Sequence, residues 1–144
     1  MRSLLLAAAI LYLGACDHQP RAAVQLPFCD VVSQSQSNPR AVRFQAQLIV
    51  SDHGAILADE RCAPRAIAWR ETEELRRSSN FDDFRRLTRE VLISVSQRPL
   101  AILVDVEGDV RTPDGSVTPV LQARRIYAFE TVPSIVHQLA PTPQ

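Results

Sequence analysis

The stretch VRFQAQLIV, residues 42–50, decides how the rest of the chain is read. Val42, Phe44, Ala46, Leu48 and Val50 alternate with Arg43, Gln45 and Gln47. An extended strand turns that period of two into one apolar face and one polar face. A second stretch, LAILVDVEGDV (100–110), repeats the pattern, with Leu100, Ile102, Val104, Val106 and Val110 falling opposite Asp105, Glu107 and Asp109. Two long strands, each apolar on one side, need a shared core, so the domain is expected to be mainly β.

Outward from residues 42–50, Ser51-Asp52-His53-Gly54 reads as a turn. Residues 55–58 then form a short second strand closed by Asp59-Glu60-Arg61, and residues 66–69 a third, after Cys62-Ala63-Pro64. There the period changes. Phe84, Leu87, Val91, Leu92 and Val95 fall on one face of a helix, with Ser79 or Asn80 placed to cap it and Pro99 marking that it has ended. Asp82 and Asp83 lie in its first turn, where negative charge favours the helix dipole. After the strand at 100–110, Thr112-Pro113-Asp114-Gly115 is a turn, and residues 117–129 return as a strand whose mixed parity implies a bulge. Upstream, residues 28–34 predict one or two helical turns, stopped at Asn38-Pro39. The order β-β-β-α-β-β, an α+β domain with one central helix, is that of a five-stranded OB-fold barrel.

At 144 residues the chain has room for one domain of this kind. Its 46% hydrophobic and 22% charged residues are those of an ordinary globular protein and exclude a disordered, collagen-like or polytopic membrane chain. The basic charge is all Arg, without a Lys, and balances 16 acidic residues. A dedicated nucleic-acid binder would carry a basic excess. An OB barrel that binds oligonucleotides also needs aromatic platforms and a positive groove. Here the outward side of the fourth strand is Asp105, Glu107 and Asp109, and Trp69 is the only aromatic near the second and third strands. No nucleic-acid partner is expected.

The head of the chain is an address. Arg2 precedes ten apolar residues, 4–13, which is about half the length a spanning helix requires and reads as the core of a secretory signal. Leu13-Gly14-Ala15-Cys16 then resembles the lipobox of bacterial lipoproteins. The resemblance implies that Cys16 is lipidated and becomes the new N-terminus, anchored to the bacterial membrane on the periplasmic side. One acyl chain binds a bilayer marginally, whereas two or three hold almost permanently, so the fold itself would need no membrane-binding surface. Asp17 resembles the signal that retains such proteins in the inner membrane, with the outer membrane the other possibility. The organisation read from the sequence is a signal peptide at 1–15, a tether at 16–27, an OB-like domain at 28–130 and an irregular tail at 131–144. Loss of 1–15 removes Arg2 and leaves one net negative charge.

Beyond Cys16 the remaining thiols are Cys29 and Cys62. In an oxidising compartment an even pair reads as a disulfide. Closing a loop of 33 positions is worth roughly 4 kcal/mol in the chain-entropy view. A metal site would want close ligand spacing, and neither cysteine has a His or second Cys within four residues. From residue 28 to about 130 the chain also resembles a loose group of small exported bacterial proteins with OB-like domains. The likeness rests on Cys29, the strand at 42–50, HGAILADERC at 53–62 and the strand at 101–106. It implies the barrel and a second cysteine facing the first, and it supplies no catalytic residue.

His53 sits beside Asp52, with Asp59 and Glu60 a few residues on; these are residue types able to hold a metal or a small ligand. Arg76, Arg77, Arg85, Arg86 and Arg89 are interleaved with acids, including Arg86 and Glu90 at i,i+4, and read as a solvated helix face. The chain carries no Gly-x-Ser-x-Gly, His-Glu-x-x-His or Gly-rich phosphate loop. The function expected is a lipid-anchored periplasmic binding module without catalysis, meeting another envelope protein or a ligand. Its surface would be the second and third strands with the loops 51–54 and 111–115. The alternative is a small-ligand or metal-binding protein using Asp52, His53, Asp59, Glu60 and Trp69. No cofactor and no resident metal are expected.

Overall fold

The computed structural model describes residues 22–34, 40–94 and 99–135. Cys16 and its lipobox, Asp17, His18, Val95 and His137 lie outside them. The elements in chain order are β1 (Val24–Gln25), α1 (Phe28–Ser33), β2 (Arg40–Ser51), β3 (Gly54–Ala58), a 3-10 turn (Glu60–Cys62), β4 (Ala66–Glu71), α2 (Glu73–Arg76), α3 (Phe81–Ser94), β5 (Leu100–Arg111) and β6 (Val120–Pro133).

β2 pairs antiparallel with β3 and β3 with β4; β4 lies parallel to β6; β6 and β5 are antiparallel; β5 closes antiparallel onto β2. The circle β2-β3-β4-β6-β5 is a closed barrel, with α3 inserted between its third and fourth strands. That is the OB-fold arrangement expected from the element order. The period-two residues fill its interior. Val42, Phe44, Ala46 and Leu48 from β2 are at most 2% exposed and stand opposite Gly108, Val106, Val104 and Ile102 of β5. Burying a side chain of this size stabilises by about 1.5–3 kcal/mol.

Each end of the barrel is covered by a helix. At one end α1 inserts Phe28, fully buried, with its ring 5.4 Å from that of Phe44. Cys29 of α1 is disulfide-bonded to Cys62 in the turn between β3 and β4. At the other end α3 inserts Phe84, 1% exposed, whose ring lies 5.8 Å from Trp69, 5.7 Å from Phe129 and 6.4 Å from Phe81. Asn80 does precede α3, its carbonyl accepting the Phe84 N–H; its side-chain amide donates 2.8 Å to the Ile126 carbonyl and ties the helix start to β6.

Four local readings are corrected. Within the stretch read as tether, Val24 and Gln25 pair parallel with Val42 and Arg43 as β1; two exposed residues carry no periodicity that could have announced it. α2 appears between β4 and α3. Thr72 caps it by accepting the Leu75 N–H at 3.2 Å while donating 2.7 Å to the Ala123 carbonyl, and Leu75 is fully buried. The last strand starts at Val120 rather than 117, with Val117 98% exposed, and runs on to Pro133, into the stretch read as irregular. Beyond it Ile135 is buried in a small outer cluster with Ile49, Ala58 and Ala101.

The mixed parity of β6 comes from two bulges. Asp105 pairs with Ala128 but Val106 with Ile126, and Glu107 pairs with Arg125 but Gly108 with Ala123, so Tyr127 and Arg124 are the unpaired extra residues. Gly108 is demanded here: an added Cβ would collide with the Gln122 carbonyl. Both extra residues reach onto the outer face over the acidic row of β5. The Tyr127 hydroxyl donates 2.6 Å to Glu107, and Arg124 lies 3.8 Å from Glu107 and 3.5 Å from Asp109. Arg43 binds Asp105 through two hydrogen bonds of 2.9 and 2.7 Å and stacks 3.6 Å over the Tyr127 ring. The acids read from the sequence as the outward side of the fourth strand are therefore paired with Arg43 of β2 and with Arg124 and Tyr127 of β6.

Candidate functional site

The residues singled out in the sequence separate into two groups at opposite ends of β3. Asp52 and His53 form the exposed tip of the β2–β3 hairpin, where the Ser51 hydroxyl accepts the His53 N–H at 3.3 Å and donates to the Gly54 carbonyl at 3.1 Å. Gly54, at φ +131°, supplies the backbone conformation that a side chain would resist. Asp59 and Glu60 follow the far end of β3, roughly 17 Å of extended chain away. The four do not assemble into one ligand set, because β3 runs straight between them.

Asp59 has a structural task instead. Its carboxylate accepts the Arg61 backbone N–H at 2.9 Å, capping the 3-10 turn, and binds the Arg61 guanidinium. The Arg61 hydrogen bond holds this carboxyl below the usual Asp value, outweighing the opposite effect of partial burial. Asp59 also lies within 4.8 Å of both Cys29 and Cys62 sulfurs. Since those sulfurs are bonded to each other, the trio is no metal site.

Trp69 marks the more open feature. On β4 the inward positions are Ile67, Trp69 and Glu71, and Trp69 stands above the Phe84 plug at the end of the barrel near the hairpin. α3 does not seal this end. A cleft of about 390 Å³ remains, floored by Leu48, Val50, Ala55, Trp69 and Phe84. Its rim carries Ser51 and Gly54 of the hairpin, Arg70 and Glu71 of β4, Arg76 of α2 and Thr88 of α3. An apolar floor ringed by a few polar groups at a barrel mouth is a usual form for a small-molecule site. The hairpin loop expected to flank the binding surface thus contributes to the mouth, whereas residues 111–115 are not part of it.

The charges on this rim are unequal. Arg76 Nε approaches Glu71 at 3.5 Å, a loose pair that uses one of five guanidinium donors. Among the described residues no ion pair engages Arg70, which is exposed beside Trp69. The rest of the Arg-rich stretch is occupied. Arg77 pairs with Glu73 at 3.2 Å, Arg85 lies 5.8 Å over Phe81, and Arg89 bonds the Arg85 carbonyl. Arg86 reaches back to Asp83 at 2.9 Å rather than forward to Glu90, the acid-first order being the better one along a helix. α2 was the unread element; Thr72 followed by Glu73 and Glu74 was its sequence signal.

No protein-family model matches the chain, and comparison with curated proteins and with solved structures returned no match. Among the described residues no helix is long and apolar enough to cross a membrane.

Proposed function

We propose that this chain is a lipid-anchored, non-catalytic binding module of the bacterial cell envelope, exported through residues 1–15, held to the membrane by lipid on Cys16 and facing the periplasm. The reading is supported at two points far apart in the chain. The charged, apolar and small-residue segments of the head stand in the order that export and lipidation require. The observation that carries the reading is the Cys29–Cys62 disulfide, a bond that persists in oxidising compartments and is rare in the cytosol. The barrel mouth at Trp69 favours a small molecule as one class of ligand, and another envelope protein is the second. A metal held by His53 with Asp59 or Glu60 has no geometric support.

Metabolic labelling with palmitate, followed by membrane fractionation, tests the anchor. Label is expected on the wild-type chain and absent from Cys16→Ala. A full-length, unlabelled chain in the cytosol would remove the proposal. Crosslinking in cells with mass spectrometry addresses the binding role, and a reproducible envelope partner is its expected result.

A further inference from the structure

The barrel mouth has an apolar interior and a rim that is positive on balance, and this combination selects a ligand. Leu48 and Phe84, both 1% exposed, line the mouth together with Trp69, Val50 and Ala55, so a ligand seated there presents an apolar body to aromatic and aliphatic carbon. On the rim, Arg70 and Arg76 stand against one carboxylate, Glu71. Among the described residues Arg70 has no ion-pair partner, and Arg76 has one, the 3.5 Å approach of its Nε to Glu71. Guanidinium groups bind planar anions through paired N–H donors, and do so best where one side is dry. The Ser51 hydroxyl already donates to Gly54 and that of Thr88 to the Phe84 carbonyl, so among the described rim residues the side-chain donors left for a ligand are those of the two arginines.

We infer that the mouth binds a small amphipathic carboxylate, with its alkyl or aryl body against Trp69 and Phe84 and its head group at the rim that carries Arg76 and, at its outer edge, Arg70. The inference rests on the binding-module reading for its biological setting and gives that reading a ligand class. Glu71 then acts as a brake. It competes for Arg76 and repels the incoming anion, keeping the site weak and exchangeable. A body of about ten non-hydrogen atoms held in this way gives a dissociation constant on the order of 0.1–1 mM.

Trp69 is the one tryptophan of the chain, so intrinsic fluorescence reports this site alone. The experiment titrates the folded domain, disulfide intact, with octanoate, octanamide and octylamine while following Trp69 emission. Octanoate is expected to shift the emission to the blue and saturate at one equivalent. Octanamide should bind about fivefold more weakly, and octylamine more weakly still. Arg70→Gln with Arg76→Gln is expected to abolish the preference for octanoate over octanamide. Glu71→Gln should tighten octanoate about fivefold. Ala55→Leu, which fills the floor, should abolish binding of all three; Arg70→Gln alone, at an exposed position, serves if that variant fails to fold. No saturable change with octanoate, equal affinity for the three head groups, or a preference that survives loss of both arginines would overturn the inference. An envelope partner still crosslinked by a protein that ignores octanoate overturns the mouth and leaves the module standing. Octanoate binding by a chain that is never lipidated or exported does the reverse.

Discussion

The two ends of this barrel are built from the same parts and finished differently. Each is covered by a helix that lowers one Phe into the interior, Phe28 from α1 and Phe84 from α3. The α1 end is then sealed: Cys29 is bonded to Cys62, and Asp59 secures the intervening turn through Arg61. At the α3 end nothing comparable closes over the plug among the described residues, and Trp69 is left half-buried beneath a rim of charges. Stability is concentrated where the molecule is shut, and accessible surface chemistry where it is open, a division found wherever binding elements are drawn from the less constrained part of a fold.

On that contrast, removing the covalent seal has the largest effect. Cys29→Ala with Cys62→Ala, or full reduction, is expected to lower the unfolding free energy by roughly 4 kcal/mol in urea titrations, while the native Trp69 emission stays unchanged at the far end. A shift in that emission on reduction would mean that the two ends are not independent. On the open side, Phe84→Leu should cost about 1–2 kcal/mol and move Trp69 emission to the red, as the plug no longer fills the space under the indole. Thr72→Ala removes both the cap of α2 and its bond to Ala123, for an expected loss of about 1 kcal/mol.

Asp59 sharpens the comparison with pH. Its carboxyl is held below the ordinary value, so the unfolded chain takes up this proton more readily than the folded one as the medium is acidified. The contribution of Asp59 is full above the ordinary carboxylate range and fades as pH falls through its folded value. Asp59→Asn is therefore expected to destabilise by about 1 kcal/mol at pH 7 and by progressively less below pH 4, read as the difference between wild-type and variant urea midpoints. A difference that stays constant down to pH 2 would show that the charge contributes nothing. His53→Ala, at the exposed hairpin tip, should change stability by less than about 0.5 kcal/mol.

The strands that close the barrel were legible because β2 and β5 each bury most of one face. Five apolar side chains in alternation on β2, and five on β5 interrupted once at Gly108, fix the register of both. The single central helix was legible for the same reason, through Phe84 and Val91. What escaped were features whose partners lie far along the chain. β1 is held by two parallel pairings to β2, which have no local signature. Ile49 and Ala101 sit on the outer sides of their strands, outside the alternation, and are buried with Ile135, 86 positions beyond Ile49. The parity break in β6 pointed to a bulge, but not to two, nor to Tyr127 and Arg124 being displaced to neutralise Glu107 and Asp109. Trp69, one of the candidate residues, lines the cleft at the barrel mouth. Asp59 and Glu60 were close to His53 in number only, since a straight strand carries neighbours in sequence to opposite ends of a barrel.

The position of the disulfide also determines how the domain responds to load. A pull arriving along the chain from upstream of residue 22 would meet β1 first, where two residues' worth of strand pairing gives little resistance. It would next reach α1, and there the strain stops at Cys29, because the Cys62 sulfur passes it into the turn between β3 and β4. A domain suspended from a bilayer by its leading end would thus hang from a covalent rivet, with the hydrogen bonds of the barrel spared. In the reduced protein the same tug would peel α1 away, drag Phe28 from its seat and open the sealed end.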